Sequence, residues 1–145
     1  MCAVKKLLLL VLHVGAAVCC GYAQSTRSDT AASPRSEARV DVGGRRLHLT
    51  CSGVSAGRAP TVVLEAGFGS PSATWNRVQP EVAKFARVCS YDRAGLGGSD
   101  PAPARRTVVS LTEDLHALLV NAKVPGPYVL VGHSLGGILA RLYAG

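Results

Sequence analysis

The sequence predicts an α/β domain: a mostly parallel sheet with flanking helices, opened by a β-hairpin. Three observations predict it. Short apolar runs at residues 61–64, 87–91 and 128–131 alternate with stretches of helical character, and alternation of this kind makes neighbouring strands parallel and places helices on both faces of the sheet. Each run ends in a glycine-containing loop, at residues 65–69, 92–100 and from Gly132 onward. Ligands in such sheets bind beyond the carboxyl ends of the strands, so the three loops are expected to converge on one rim. Finally, Gly43 and Gly44 stand between two strand-like arms, residues 39–42 and 45–51, and supply the positive φ values that a two-residue hairpin turn demands.

The amino-terminal region is of a different kind. Lys5 and Lys6 precede a twelve-residue apolar stretch at 7–18, and Gly21, Tyr22 and Ala23 put small residues near a cleavage-type position. A charged start, a short apolar centre and a small-residue exit describe a secretory signal peptide over residues 1–23. A membrane span needs about 20 apolar residues, and this stretch is shorter and holds His13. The expectation is therefore a secreted or periplasmic protein without stable membrane insertion after cleavage. Residues 24–37 carry Ser, Thr, Ala and Arg with Pro34 and no apolar period, and read as a flexible linker. The folded domain is expected at residues 38–145, long enough to bury a core.

In the second arm of the hairpin, alternation puts Leu47 and Leu49 on one face and His48 and Thr50 on the other. Residues 80–86 read as a helix, with Pro80 tolerated in its first turn. Ser110 and Glu113 stand at capping-box spacing, and Leu111, Leu115, Leu118, Leu119 and Ala122 then share one helical face. Pro125, Gly126 and Pro127 end that helix. The last strand follows, and a helix is expected to start at Ser134 or just after it.

Charge excludes some function classes. The net charge of +7 falls to +5 without Lys5 and Lys6, and the remaining surplus is scattered arginine. No long basic block or aromatic interleaving supports a nucleic-acid partner. No metal-ligand spacing and no phosphate-cradling glycine motif is present, so no cofactor and no metal are implied.

The chemistry is concentrated at Gly132, His133, Ser134, Leu135 and Gly136. This is a Gly-x-Ser-x-Gly pattern after an apolar strand, where a sharp strand-to-helix turn exposes a serine as a nucleophile. Glycines on either side let strand and helix approach without side-chain clashes. His133, beside the serine in sequence, leaves the turn in another direction and reads as a packing or hydrogen-bonding residue. His48 and His116 read as surface or satisfied positions, Trp75 as core or pocket wall, and Asp92 and Arg93 as organisers of their loop.

Taken with the loop at 65–69, Trp75 and the segment from Tyr91 to Asp100, the turn resembles the alpha/beta-hydrolase family over essentially all of residues 38–145, the amino-terminal part of that fold. The resemblance implies Ser134 as nucleophile and the backbone N–H groups of Leu135 and Phe68 as oxyanion-hole donors. Many relatives have His-Gly where this chain has Ala66 and Gly67, a change that leaves the backbone donor in place. A serine rather than the aspartate of the dehalogenase and epoxide-hydrolase branches implies acyl transfer to water from a small ester or related acyl substrate, through an acyl-enzyme. In the resembled sheet the strands carrying Cys51 and Cys89 are neighbours, which makes these two a candidate disulfide.

In the resembled family the triad acid and histidine follow the serine, yet residues 135–145 contain no Asp, Glu or His. The 145-residue chain is therefore expected to be inactive alone. Its alternatives are a non-catalytic binding or interaction protein built on part of a hydrolase, or an acyltransferase or peptidase on the same fold.

Overall fold

The computed structural model describes residues 34–102 and 105–145. The expected signal peptide and residues 24–33 of the expected linker lie outside them. Among the described residues five strands form one mixed sheet in the order β1-β2-β4-β3-β5. They are β1 (Arg35–Asp41), β2 (Arg46–Ser52), β3 (Thr61–Glu65), β4 (Val88–Tyr91) and β5 (Tyr128–Gly132). The pairings β3–β4 and β3–β5 are parallel, while β1–β2 and β2–β4 are antiparallel. β4, β3 and β5 run parallel to one another, as expected, and the hairpin is joined to them antiparallel.

The hairpin differs from expectation at its start. β1 starts at Arg35, so residues 35–37 belong to the strand and not to the linker; they pair in register with Ser52, Cys51 and Thr50. The ladder outweighs their polar composition because β2 offers unpaired backbone groups along its whole length. The turn closes across Gly43 and Gly44, as expected, although the strands themselves stop at Asp41 and Arg46. Val42 donates its N–H to the Arg45 carbonyl at 2.9 Å, and the Asp41 carboxylate accepts the Gly43 and Gly44 amides at 2.9 and 3.3 Å. Gly43 and Gly44 do take positive φ, +105° and +81°.

Leu47, Leu49, Cys51, Val63, Cys89 and Tyr91 turn one face of the sheet toward α2 (Val108–Asn121), whose Leu115, Leu118 and Leu119 complete the main core. α3 (Leu135–Ala144) packs beside α2 on this face and buries Leu139. On the other face Leu64 and Val88 pack with Ala83, Val82 and Trp75, from a 3-10 turn (Ser72–Trp75) and α1 (Gln79–Val82). Thr50 is consequently buried: Gln79 covers that face and donates to the Thr50 carbonyl at 3.1 Å. Val129 and Val131 on β5 lie beyond this cover and are exposed.

Two helix expectations are corrected. α1 ends at Val82, not Ala86, because the bonding turns irregular beyond it: i→i+3 bonds from Lys84 to Glu81 and Phe85 to Val82 precede a single i→i+4 bond from Ala86 to Val82. The capping box of α2 is formed by Thr107 and Ser110, one turn before the Ser110–Glu113 pair. The Thr107 hydroxyl accepts the Ser110 amide and the Ser110 hydroxyl accepts the Thr107 amide, both at 3.1 Å. A serine hydroxyl thus does the work of the usual Glu or Gln at this position.

Cys51 and Cys89 face each other across β2 and β4 with Cα atoms 4.1 Å apart, and form a disulfide.

Candidate active site

β5 ends at Gly132 and α3 begins at Leu135, so the chain reverses its course across His133 and Ser134. Ser134 has φ 54° and ψ −119°, a backbone conformation that a residue with a Cβ holds only under constraint. The constraint is visible. His133 donates its N–H to the Glu65 carbonyl at 3.0 Å, and the Gly136 and Gly137 amides donate to the His133 and Ser134 carbonyls at 2.9 Å. A Cβ on Gly132 would overlap the Gly136 carbonyl, and one on Gly136 would overlap the Glu65 carbonyl. Glycine at both positions lets β5, the turn and the end of β3 come this close. Ser134 itself is exposed.

Beside the turn, β3 runs out through Ala66, Gly67 and Phe68. Arg93, only 5% exposed, reaches across from the loop after β4 and donates Nη1 to the Ala66 carbonyl at 2.7 Å and Nη2 to the Gly67 carbonyl. The Gly67 carbonyl also accepts the Ser70 amide at 3.2 Å. From the other side the His133 ring lies on Gly67, where an added Cβ would come within 2.9 Å of Nδ1. Among the described residues no hydrogen bond takes up the amide of Phe68 or of Leu135. The second is a first-turn amide of α3, which has no partner within its own helix. Phe68, Gly69, Ala94, Leu96, Leu111 and Leu135 line an adjoining cavity of about 250 Å³. A larger hollow of about 560 Å³ lies between α2 and α3 and shares no residue with the turn.

Beneath the loop sits a buried polar group that the sequence reading did not single out. Glu65 is fully buried, its Oε2 3.5 Å from Arg93 Nη1. Burial pushes its carboxyl up to about 7, against the opposing pull of the Tyr91 hydroxyl and the Arg93 charge. Tyr91 is raised well above the ordinary phenol, first by burial and then by the Glu65 charge. Neither Glu65 Oε1 nor the Tyr91 hydroxyl has a hydrogen-bond partner of normal geometry among the described residues. The available signal was a glutamate closing a buried strand and an arginine two residues past the neighbouring one.

The neighbouring loop is organised by Asp92, as its position suggested. Burial would raise its carboxyl, but the amides of Gly98 and Ser72 at 2.9 and 2.6 Å, with His48 Nδ1 at 3.2 Å, outweigh that and hold it below the usual range. Gly97, at φ +49°, leaves room for this carboxylate where a Cβ would overlap it. His48 is thus a satisfied residue, with Glu37 Oε2 3.7 Å from its other nitrogen. His116 is exposed and meets the Tyr143 hydroxyl at 3.3 Å. Asp114, unremarked in the sequence, is a buried anchor that takes Arg45 and Arg106 on its two oxygens. No group of three or more metal-ligating side chains converges among the described residues.

A sheet of this order and a glycine-flanked serine turn at its carboxyl edge define a hydrolase-type α/β fold. A family model, "Alpha/beta hydrolase family", matches residues 62–145, and the chain belongs to the alpha/beta hydrolase family. It is 38% identical over 84 residues to the uncharacterized protein YqjL of Bacillus subtilis, covering 58% of this chain and 33% of that one. It is 34% identical over 85 residues to an AB hydrolase superfamily protein of Gibberella zeae, covering 58% and 26%. Among solved structures, the enol-lactonase from Burkholderia xenovorans LB400 is similar with TM-score 0.62 and 30% identity, over 72% of this chain and 39% of that one. Epoxide hydrolase A from Mycobacterium thermoresistibile is similar with TM-score 0.65 and 29% identity, over 77% and 35%. The chain spans about a third or less of the length of the curated relatives it matches.

Proposed function

We propose that this chain carries the nucleophile and oxyanion hole of a serine hydrolase acting on a small ester, lactone or related acyl substrate. The observation that carries the reading is Ser134, exposed and held at φ 54° between two glycines that admit no side chain. Its Oγ attacks the acyl carbon. The Oγ–carbon bond forms, the bond to the leaving group breaks, and the serine proton passes to the leaving group. Water then cleaves the acyl-enzyme and restores the serine. The amides of Leu135 and Phe68 receive the negative charge that develops on the acyl oxygen, each contributing roughly 3 kcal/mol of transition-state stabilisation.

A serine at this position supports acyl chemistry over the aspartate-based epoxide opening of the resembled branches, and the similarity to an enol-lactonase agrees with it. Residues 135–145 supply no acid and no histidine, and a serine without a base is a weak nucleophile, so slow acylation without appreciable turnover is the behaviour expected of these 145 residues by themselves. Export through the leader at residues 1–23 belongs to the same proposal and accords with the Cys51–Cys89 disulfide.

Incubation of the full chain with p-nitrophenyl acetate tests the reading. A single acetyl group mapping to Ser134, absent from Ser134→Ala, supports it. Nitrophenol release identical in the two proteins contradicts the nucleophile and favours a non-catalytic binding protein on this fold. Multiple turnover that depends on Ser134 contradicts the expectation of slow acylation without appreciable turnover.

A further inference from the structure

We infer that Arg93 is a positioning residue of the oxyanion hole, one that both aims and polarises the amide of Phe68. The inference rests on the assignment of that amide in the proposed function. Its geometry stands apart from that assignment. The carbonyl of Gly67 and the N–H of Phe68 belong to one peptide group. In a trans peptide these two bonds point in opposite directions, so whatever grips the carbonyl decides where the N–H aims.

Two donors grip the Gly67 carbonyl: Arg93 Nη2 and the Ser70 amide, the latter at 3.2 Å. Arg93 Nη1 fixes the preceding peptide through the Ala66 carbonyl at 2.7 Å. The guanidinium is buried among these acceptors and Glu65, so water does not screen it as it would a surface arginine. The Phe68 amide, on the far side of the peptide, has no acceptor among the described residues.

Hydrogen bonds in series polarise one another, and the effect grows where the local dielectric is low. A cation at the carbonyl end withdraws electron density through the amide and makes its N–H a stronger donor. Arg93 therefore acts on an oxyanion without touching it. Asp92, next in the chain, fixes the strand end from which Arg93 projects, through Ser72, Gly98 and His48.

The test uses the full, disulfide-intact chain and its Arg93→Met and Arg93→Lys variants, with ¹⁵N–¹H resonances assigned. The ¹⁵N shift of an amide reports hydrogen bonding at the carbonyl of its own peptide. We expect the Phe68 resonance to move upfield by more than 1 ppm in Arg93→Met, with partial recovery in Arg93→Lys, while core amides such as Leu118 stay fixed. A Phe68 resonance unmoved in both variants overturns the inference. If Arg93→Met does not fold, the Lys variant decides alone: a Phe68 shift equal to wild type overturns the inference, and a displaced one supports it.

Acylation of Ser134 by p-nitrophenyl acetate separates this from the reading it rests on. Arg93→Met should lower the maximal acylation rate about 10-fold, with the half-saturating concentration unchanged, as expected when a donor that acts in the transition state is weakened. A full acylation rate in a folded variant whose Phe68 resonance has moved removes the catalytic role of Arg93. If wild type is not acylated while the Phe68 resonance moves in the variants, the serine-hydrolase reading falls and the arginine's hold on the peptide stands.

Discussion

Replacing Glu65 by glutamine should change how stability depends on pH, in a direction unusual for a carboxylate. Glu65 is fully buried, and its carboxyl lies at about 7, against 4.5 in the unfolded chain. The folded state therefore binds a proton between these values that the unfolded state has released. Stability is complete below pH 4.5, declines as pH rises, and has lost the whole contribution above pH 7. The difference of 2.5 units corresponds to about 3 kcal/mol. Glutamine keeps the shape without the ionisation. Urea unfolding of wild type and Glu65→Gln, with the disulfide intact, should be compared at pH 4.5, 6 and 8. The difference between the two proteins cancels Glu37, Asp92 and Asp100, which titrate in both. It should move by about 3 kcal/mol in favour of the variant from pH 4.5 to 8. A difference independent of pH, or one in which wild type gains as pH rises, would mean that the Arg93 charge outweighs burial at this site.

Other substitutions probe the frame that carries the serine. Gly136→Ala should cost about 1–3 kcal/mol in chemical denaturation, because its Cβ meets the Glu65 and Ala66 carbonyls; an unchanged midpoint would show that the turn can open without penalty. Replacing Cys51 and Cys89 together by serine frees a loop of sequence separation 38 and should cost about 4 kcal/mol by loop entropy, and a loss under 1 kcal/mol would remove the disulfide from the account of stability. Thr107→Ala should cost about 1 kcal/mol, and Glu113→Ala less than about 0.5 kcal/mol, since the reciprocal cap joins Thr107 to Ser110; the opposite order would restore the cap to Ser110 and Glu113.

What could be read in the sequence was whatever depends on local pattern. The apolar runs ending in glycine loops located β3, β4 and β5 to within a residue, and the Gly132 to Gly136 spacing located the turn. The helical spacing of Leu111, Leu115, Leu118 and Leu119 marked the face that α2 buries. Contacts between distant segments were not legible. Residues 35–37 are polar and read as linker, yet β2 supplies them with a ladder. Nothing local announces that Gln79, 29 residues away, covers the face that Thr50 shares. The hydroxyl of Ser110 took the role expected of a carboxylate, a substitution that spacing rules for Glu and Gln overlook. Glu65 reads as an ordinary strand end until Arg93 and Tyr91 are brought under it. The relation of Arg93 to Phe68 depends on which carbonyl the guanidinium reaches, which only coordinates reveal.

The central claim is that Ser134 is a strained, exposed nucleophile facing two free amides. Its most direct test is covalent capture by an activated phosphonate ester, whose phosphoryl oxygen occupies the place of the oxyanion. Peptide mapping of the full chain after such treatment should find one phosphonyl group, on Ser134, with capture slowed at least 10-fold in Gly136→Ala as the turn is distorted. Modification spread over surface serines and tyrosines, at a rate indifferent to Ser134→Ala, would contradict the account.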